Sequence, residues 1–84
     1  MSPMRINIHY FAVLADRIGR TTETLNMAED TTVATILDEL AAQHDIIRIM
    51  RPSLAAAVDN AYVPPQHKVH EGDTVSIIPP VSGG

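Results

Sequence analysis

The sequence ends in Gly83-Gly84, and this terminal pair carries the group best suited to chemistry. Glycine loses more conformational freedom on ordering than any other residue, so a glycine pair at a chain end favours a purpose other than packing. Because neither residue has a Cβ, a partner's active site can approach the Gly84 carboxyl group without steric hindrance. We therefore interpret the terminal carboxylate as a candidate reactive group that is presented to another protein.

The residues before the glycines should direct this tail away from a folded body. Pro79 and Pro80 end the last predicted strand and favour an extended, polyproline-like exit. Six extended residues span about 20 Å, which is enough to enter a narrow site. We predict a folded domain over residues 1–79 and a tail over residues 80–84. The residues predicted to thread into the partner are Pro79, Pro80, Val81, Ser82 and Gly83.

The composition limits what the rest of the chain can do. With 84 residues, 45% of them hydrophobic and 19% charged, the chain is typical of one small globular domain. Its net charge of -4 argues against a nucleic-acid partner, since binding to phosphates requires clustered basic residues. The sequence contains no cysteine, which excludes disulfides, thiolate ligands and a cysteine nucleophile. Neither a membrane span nor a signal peptide is apparent, so we expect a cytoplasmic protein without a membrane partner.

The apolar pattern predicts a small mixed sheet with one principal helix. The clearest helical period runs from Thr32 to His44, and a shorter helical segment from Phe11 to Ile18 ends at Gly19. Asp45 to Arg51 is expected to be irregular or one helical turn. The predicted strands are Met4 to Tyr10, Thr21 to Met27, Leu54 to Val58, Ala61 to Val63 and Thr74 to Ile78. This order predicts an α+β fold of the β-grasp type, with about five strands, a main helix across them and a flexible C-terminal tail.

Several side chains could be assigned chemistry, but simpler interpretations are favoured for them. His67 and His70 lack a third ligand nearby, so we predict no metal site and leave the role of these histidines open. His9 alternates with apolar residues and is expected to face solvent.

Charged residues elsewhere in the chain are also expected to be solvated. Asp38 and Glu39 are adjacent on a helix and point about 100° apart, so they are unsuited to paired acid–base work. Arg48 and Arg51 could bind a phosphate or an acidic patch, although we favour a role in solubility.

Apolar residues near the tail have two interpretations, either ordinary edge residues or anchors of a partner interface. We favour the interface, because a small protein must dock on its partner before its tail can enter a site there. The predicted interface residues are Phe11, Ile78 and Val81.

Several segments together resemble a known family. They are Phe11-Ala12 leading to Gly19, the Thr32-Val33 helix entry, Leu54-Ala55-Ala56-Ala57-Val58, Glu71-Gly72-Asp73-Thr74-Val75 and Pro79-Pro80-Val81-Ser82-Gly83-Gly84. In order and spacing they resemble the MoaD family, the small subunits of molybdopterin synthase, which are ubiquitin-like sulfur carriers. The resemblance covers essentially the whole chain, and its specific part is the terminal Pro-Pro-Val-Ser-Gly-Gly.

The resemblance implies a two-stage cycle centred on Gly84. A ubiquitin-activating-type adenylyltransferase would use ATP and magnesium to form an acyl-adenylate, and sulfur delivery would then leave a thiocarboxylate. The carrier would next insert its tail into the large synthase subunit and donate sulfur to cyclic pyranopterin monophosphate, forming the dithiolene of molybdopterin. The resemblance also implies a heterotetramer of two small and two large subunits. The active site would lie in the large subunit, and this non-catalytic subunit would bind no cofactor.

Other functions remain open from the sequence. A sulfur carrier for thiamine or another pathway would share the chemistry, although the resemblance implies that thiamine carriers are shorter and lack the Pro-Pro. A ubiquitin-like modifier would also need acyl activation, and Lys68 is the only lysine available for chains. A binding module without covalent chemistry is the simplest alternative. The chain departs from the family at Asp59-Asn60 and in the loop from Val63 to His70, which affects the partner interface and leaves the tail unchanged.

Overall fold

In a computed structural model that describes residues 3–80, the chain folds into five strands and three α-helices. A short 3₁₀ helix, Arg51–Ser53, precedes the third strand. The strands are β1 (Met4–Tyr10), β2 (Thr22–Met27), β3 (Ala55–Val58), β4 (Ala61–Val63) and β5 (Thr74–Ile78). The helices are α1 (Val13–Ile18), α2 (Val33–Gln43) and α3 (Asp45–Met50). The tail residues Val81, Ser82, Gly83 and Gly84, for which the sequence predicts threading, docking and reactivity, lie outside the described residues.

The strands form one mixed sheet in the order β2-β1-β5-β3-β4. The central strands β1 and β5 run parallel, whereas the other neighbouring pairs are antiparallel. Because Tyr10 pairs with Ile77, β1 and β5 end side by side at the same edge of the sheet. This topology confirms the predicted mixed sheet and places the start of the tail next to the Phe11 segment.

The core lies between one face of the sheet and α2. In β1 the alternation predicted from the sequence is confirmed, since Met4, Ile6, Ile8 and Tyr10 are all buried. The buried stripe of α2 consists of Val33, Ile36, Leu37 and Leu40. Burying an aliphatic side chain of this size contributes about 1.5–3 kcal/mol, so this layer accounts for much of the stability of the fold.

The N-terminus of α2 is capped by the proline-rich loop that the sequence left unassigned. The Thr32 hydroxyl accepts a hydrogen bond from the Thr35 amide (3.3 Å), as its N-cap position predicts. The backbone amide of Val33 donates to the His67 carbonyl (3.0 Å), and that of Ala34 donates to the Pro65 carbonyl (2.8 Å). The loop therefore satisfies helix amides that would otherwise lack partners.

The segment after α2 is more ordered than the sequence indicated. It forms α3, whose Ile47 is fully buried, and the 3₁₀ helix follows directly. Arg51 donates hydrogen bonds to the Asp38 carboxylate and to the Ala34 carbonyl (3.1 Å). The expectation that Arg51 serves solubility is therefore wrong, because its guanidinium joins the 3₁₀ helix to α2. Arg48 instead reaches only the exposed Asp45, at 3.4 Å.

Candidate functional site

The tail follows β5, which is the central strand of the sheet. β5 ends at Ile78, which pairs with Ala55 of β3, and the buried Pro79 and exposed Pro80 follow. Proline has no backbone N–H and therefore cannot continue the ladder. The folded strand accordingly ends at the position that the sequence predicts, and Pro79 and Pro80, which are predicted to thread into a partner, follow directly after it.

The sheet face opposite α2 crosses four strands, and within residues 3–80 its side chains range from the buried Ala57 to the exposed Tyr62. His9 pairs with Ser76, Ser76 with Ala57, and Ala57 with Tyr62, so these four residues form one row. Tyr62 is 72% exposed. We call this surface the outer face, and its residues are His9, Phe11, Ala57, Tyr62, Ser76 and Ile78.

Two of the three predicted interface residues lie on the outer face near the tail exit. Phe11 is 39% exposed, and its ring packs on that of His9 with the centroids 4.3 Å apart. Ile78 is half-buried on the same face. Val81, the third residue, lies outside the described part of the chain.

His9 lies on the sheet face opposite the core, as the sequence predicts. It is half-buried there, because its ring packs against that of Phe11. The signal was present in the sequence, because residues two apart on a strand share a face and Phe11 follows His9 at that spacing. His9 therefore supports the aromatic ring at the rim of the outer face.

Ala12 joins the outer face to α1 through an unusual backbone conformation. Its dihedral angles are φ 52° and ψ -127°, a region that favours glycine. The Leu14 amide donates to the Phe11 carbonyl (3.1 Å) and so closes the turn. Conformations of this kind cost about 1–3 kcal/mol and persist only where the surroundings fix them. Here the buried Leu14 on one side and β1 on the other hold the turn that presents Phe11.

A partly buried polar cluster, formed by Tyr10, Glu23 and His44, lies at the C-terminal end of α2. The Tyr10 hydroxyl donates to Glu23 Oε1 (2.6 Å), and His44 Nε2 lies 3.2 Å from the same oxygen. Arg20 Nη1 lies 3.8 Å from Glu23 Oε2. Sequence analysis missed this cluster, although Glu23 stands at an inward-facing position of β2 and its side chain is only 14% exposed.

The environment of the cluster keeps Glu23 ionised. Partial burial acts to raise the pKa of Glu23, but the hydrogen bonds from Tyr10 and His44 and the charge of Arg20 outweigh it and leave the pKa lowered. Burial, reinforced by the hydrogen bond to Glu23, raises the pKa of Tyr10. A carboxylate with a lowered pKa is a poor general base at neutral pH, so the cluster is best described as a link between β1, β2 and α2.

The other candidate side chains do not converge on a catalytic site. His67 contributes its backbone to the α2 cap, and His70 is exposed with Nδ1 3.9 Å from Asp73 Oδ2. Glu39 accepts a hydrogen bond from Gln43 (3.0 Å), while Asp38 is bound by Arg51. Within residues 3–80 no group of three or more histidine or carboxylate side chains is arranged to hold a metal ion. None of the helices in this range is long and apolar enough to cross a membrane.

Solved structures place the fold in a known class. The chain superimposes on the HVO 2177 protein of Haloferax volcanii with a TM-score of 0.85 at 22% identity, covering 99% of this chain and 89% of that one. SAMP1 from the same organism gives a TM-score of 0.81 at 25% identity, with 95% and 99% covered. Subunits 1 and 2 of the molybdopterin-converting factor of Helicobacter pylori were solved as a complex, which gives 0.67 at 17% identity with 96% and 100% covered. The protein is thus a ubiquitin-like β-grasp domain, as the sequence predicts.

Sequence comparisons identify the family within this class. Residues 8–84 match the ThiS family. The molybdopterin synthase sulfur carrier subunit of Chlamydomonas reinhardtii is 31% identical, with 96% of this chain and all of that protein covered. Its counterpart in Escherichia coli K12 is 33% identical, with 94% and 99% covered. The chain belongs to the ThiS family, and the predicted resemblance to molybdopterin synthase small subunits is confirmed.

Proposed function

We propose that this protein is the sulfur carrier subunit of molybdopterin synthase, with the Gly84 carboxyl group as its functional group. The observation that carries the proposal is the similarity to proteins of that name over 94–96% of this chain, together with the ThiS family match, whose range of residues 8–84 includes the Gly-Gly end. The folded domain also supports the proposal, because Pro79 and Pro80 lead into the tail beside the outer face. The Tyr10–Glu23–His44 cluster is not a competing catalytic site, since its hydrogen bonds link elements of the fold. The cycle would run in the cytoplasm.

The proposed chemistry begins with activation of the Gly84 carboxylate. A carboxylate resists attack by sulfur until one oxygen becomes a good leaving group. A ubiquitin-activating-type adenylyltransferase would use ATP and magnesium to place AMP on that oxygen, releasing pyrophosphate. A sulfur donor would then displace AMP and leave a thiocarboxylate at Gly84. No cofactor would need to remain bound to this chain.

The second stage transfers the sulfur within a complex. The large synthase subunit would receive the tail from Pro79 to Gly83 and would supply the catalytic groups. The thiocarboxylate sulfur would replace an oxygen substituent on a carbon of cyclic pyranopterin monophosphate and form a thioester. Hydrolysis of the acyl–sulfur bond would then leave the sulfur on the pterin and release the Gly84 carboxylate. Two donations would build the dithiolene of molybdopterin. The expected assembly is a heterotetramer of two small and two large subunits.

Docking would use the outer face next to the tail exit. Phe11 and Ile78 lie there in the described structure, and Val81 would extend the contact. The fold neighbour from Helicobacter pylori was solved in a complex of two converting-factor subunits, which supports a large-subunit partner here. An exposed aromatic ring beside a half-buried aliphatic side chain is suited to anchoring such an interface.

A discharge assay tests this proposal. The chain, charged as a thiocarboxylate, is mixed with a molybdopterin synthase large subunit and cyclic pyranopterin monophosphate. We expect the carrier to lose its sulfur and molybdopterin to form. If thiamine-pathway partners discharge the carrier and the synthase does not, the assignment changes to a carrier for thiamine or another sulfur-transfer pathway.

A ubiquitin-like protein modifier is the second candidate, and the likeness to SAMP1, a small archaeal modifier protein, favours it. Acyl activation serves both functions, but the final acceptor differs. A modifier would form isopeptide bonds with lysines, including its own Lys68, when the activating enzyme and ATP are present. Mass spectrometry of the products distinguishes these bonds from a free thiocarboxylate.

A further inference from the structure

Strand β2 forms a free edge of the sheet on the side away from the tail. It pairs with β1 only, and in residues 3–80 no strand covers its other side. The Tyr10 amide donates to the Thr21 carbonyl (2.8 Å), so Tyr10 and Thr21 are a hydrogen-bonded pair of the β1–β2 ladder. Since paired residues alternate between bonded and non-bonded positions, Thr22, Thr24 and Asn26 direct their backbone groups outward. An open edge of this kind is a template for an added strand.

A groove runs along this edge between β2 and α2. Its volume is about 620 Å³. One wall is a stripe of α2 with a spacing of four residues, namely Thr35, Glu39 and Gln43. Leu25 and Met27 supply apolar surface along the opposite, strand side. The groove therefore combines unpaired strand groups, an apolar side and a polar wall.

The charge of the groove indicates what it can accept. Two carboxylates, Glu23 and Glu39, line it, and no lysine or arginine is among its lining residues. Glu23 is already engaged by Tyr10 and His44, and Arg20 lies 3.8 Å from it. Glu39 is exposed, and within residues 3–80 its one hydrogen-bond partner is the neutral Gln43. Glu39 is thus the acidic group available to a ligand.

We propose that the β2 edge binds an extended segment of a partner protein as an added strand, and that this segment carries lysine or arginine at alternate positions. Alternate side chains of an added strand point to the same face, so one set would enter the groove. The aliphatic stem of a lysine or arginine would lie along Leu25 and Met27, and its cationic head would reach Glu39. The β2 edge is separate from the outer face and the tail, so binding there is independent of the proposed sulfur transfer.

The test is an NMR titration of the intact chain with two capped hexapeptides. One alternates threonine and lysine, and the other alternates threonine and glutamate. We expect the lysine peptide to shift the amide signals of Thr22, Thr24 and Asn26, and the glutamate peptide to leave them unchanged. Equal responses to both peptides, or shifts confined to β4 or the outer face, would overturn the proposal.

Two variants of equal charge change show whether Glu39 acts specifically. Glu39→Lys should weaken binding about threefold to tenfold, since it replaces a favourable exposed ion pair with a repulsive one. Glu29→Lys, which changes an exposed acid outside the groove, should have a smaller effect. If both variants weaken binding equally, the peptide is attracted by net charge alone and the proposal fails.

Blocking the edge provides an independent variant. Thr24→Pro removes an outward N–H without removing a ladder bond to β1, and it should abolish the response to the lysine peptide. Binding that persists in a folded Thr24→Pro protein would exclude strand addition at this position. If that variant does not fold, the comparison of Glu39→Lys with Glu29→Lys decides the question alone.

Discussion

The two faces of the sheet differ sharply in what they do, and the neighbouring residues Ile77 and Ile78 illustrate the difference. Ile77 is 0% exposed and lies in the core, whereas Ile78 is half-buried on the outer face beside the tail exit. The inner face is paired with α2 and fixes the fold. The outer face lacks such a cover in residues 3–80, and in the proposed function it docks the partner. Under that proposal, adjacent residues of similar chemistry serve stability and recognition separately.

The largest expected effect separates these two roles. Ile77→Ala should lower the free energy of unfolding by about 2–5 kcal/mol, because it leaves a cavity in a packed core. Ile78→Ala should cost less, since its side chain already contacts solvent. Chemical denaturation of both variants measures the difference. Equal losses would show that the two faces do not divide their roles in this way.

A charge placed on the outer face tests docking. Ile78→Asp should weaken the complex with a molybdopterin synthase large subunit by about tenfold or more, as expected for a central interface residue. Calorimetric titration measures the affinity, and circular dichroism checks that the variant is folded. Tyr62→Asp, on the far strand of the same face, shows how far the interface extends. Unchanged affinity for Ile78→Asp would remove Ile78 from the proposed interface.

The Tyr10–Glu23–His44 cluster should have a smaller effect, confined to stability. Glu23→Gln should cost about 1–2 kcal/mol near neutral pH, because it removes charge-assisted hydrogen bonds inside the body. The pKa of Glu23 is lowered by folding, so its contribution is present above the unfolded value of 4.5 and is lost as the pH falls through the folded value. The stability of the variant should therefore depend less on pH below 4.5. Urea unfolding across this range measures it, and an unaltered pH dependence would contradict the assigned pKa shift.

The smallest effect should come from the turn at Ala12, which joins the outer face to α1. Ala12→Gly relieves a backbone conformation that favours glycine, but it increases the freedom of the unfolded chain. We expect a net stabilisation of about 1 kcal/mol, together with weaker docking if the turn holds Phe11 in place. Thermal unfolding and the affinity for the large subunit measure the two parts. A marked destabilisation would show that Ala12 is not strained.

The sequence predicts those elements whose contacts repeat with a regular period. Burial on one face imposes a regular period on a strand or helix. For this reason the core-facing residues of β1 and α2 could be predicted from the alternation of Met4 to Tyr10 and the spacing of Val33 to Leu40. The partners of Glu23 and Arg51 gave no such signal, since His44 and Asp38 are distant from them in sequence. The sequence also did not predict the contact between the α2 N-terminus and the Val63 to His70 loop. That contact uses the backbone carbonyls of Pro65 and His67, and any residue type can supply a carbonyl. The sulfur-carrying role of Gly84 remains a prediction from the sequence and the relatives.

Activation of Gly84 tests the central claim most directly. The purified protein is incubated with its activating enzyme, ATP, magnesium and a sulfur donor, and the intact mass and C-terminal peptide are then measured. The account predicts a mass increase equal to the replacement of one oxygen by sulfur, located on Gly84 and absent when ATP is omitted. No increase, or an increase located on another residue, would contradict it.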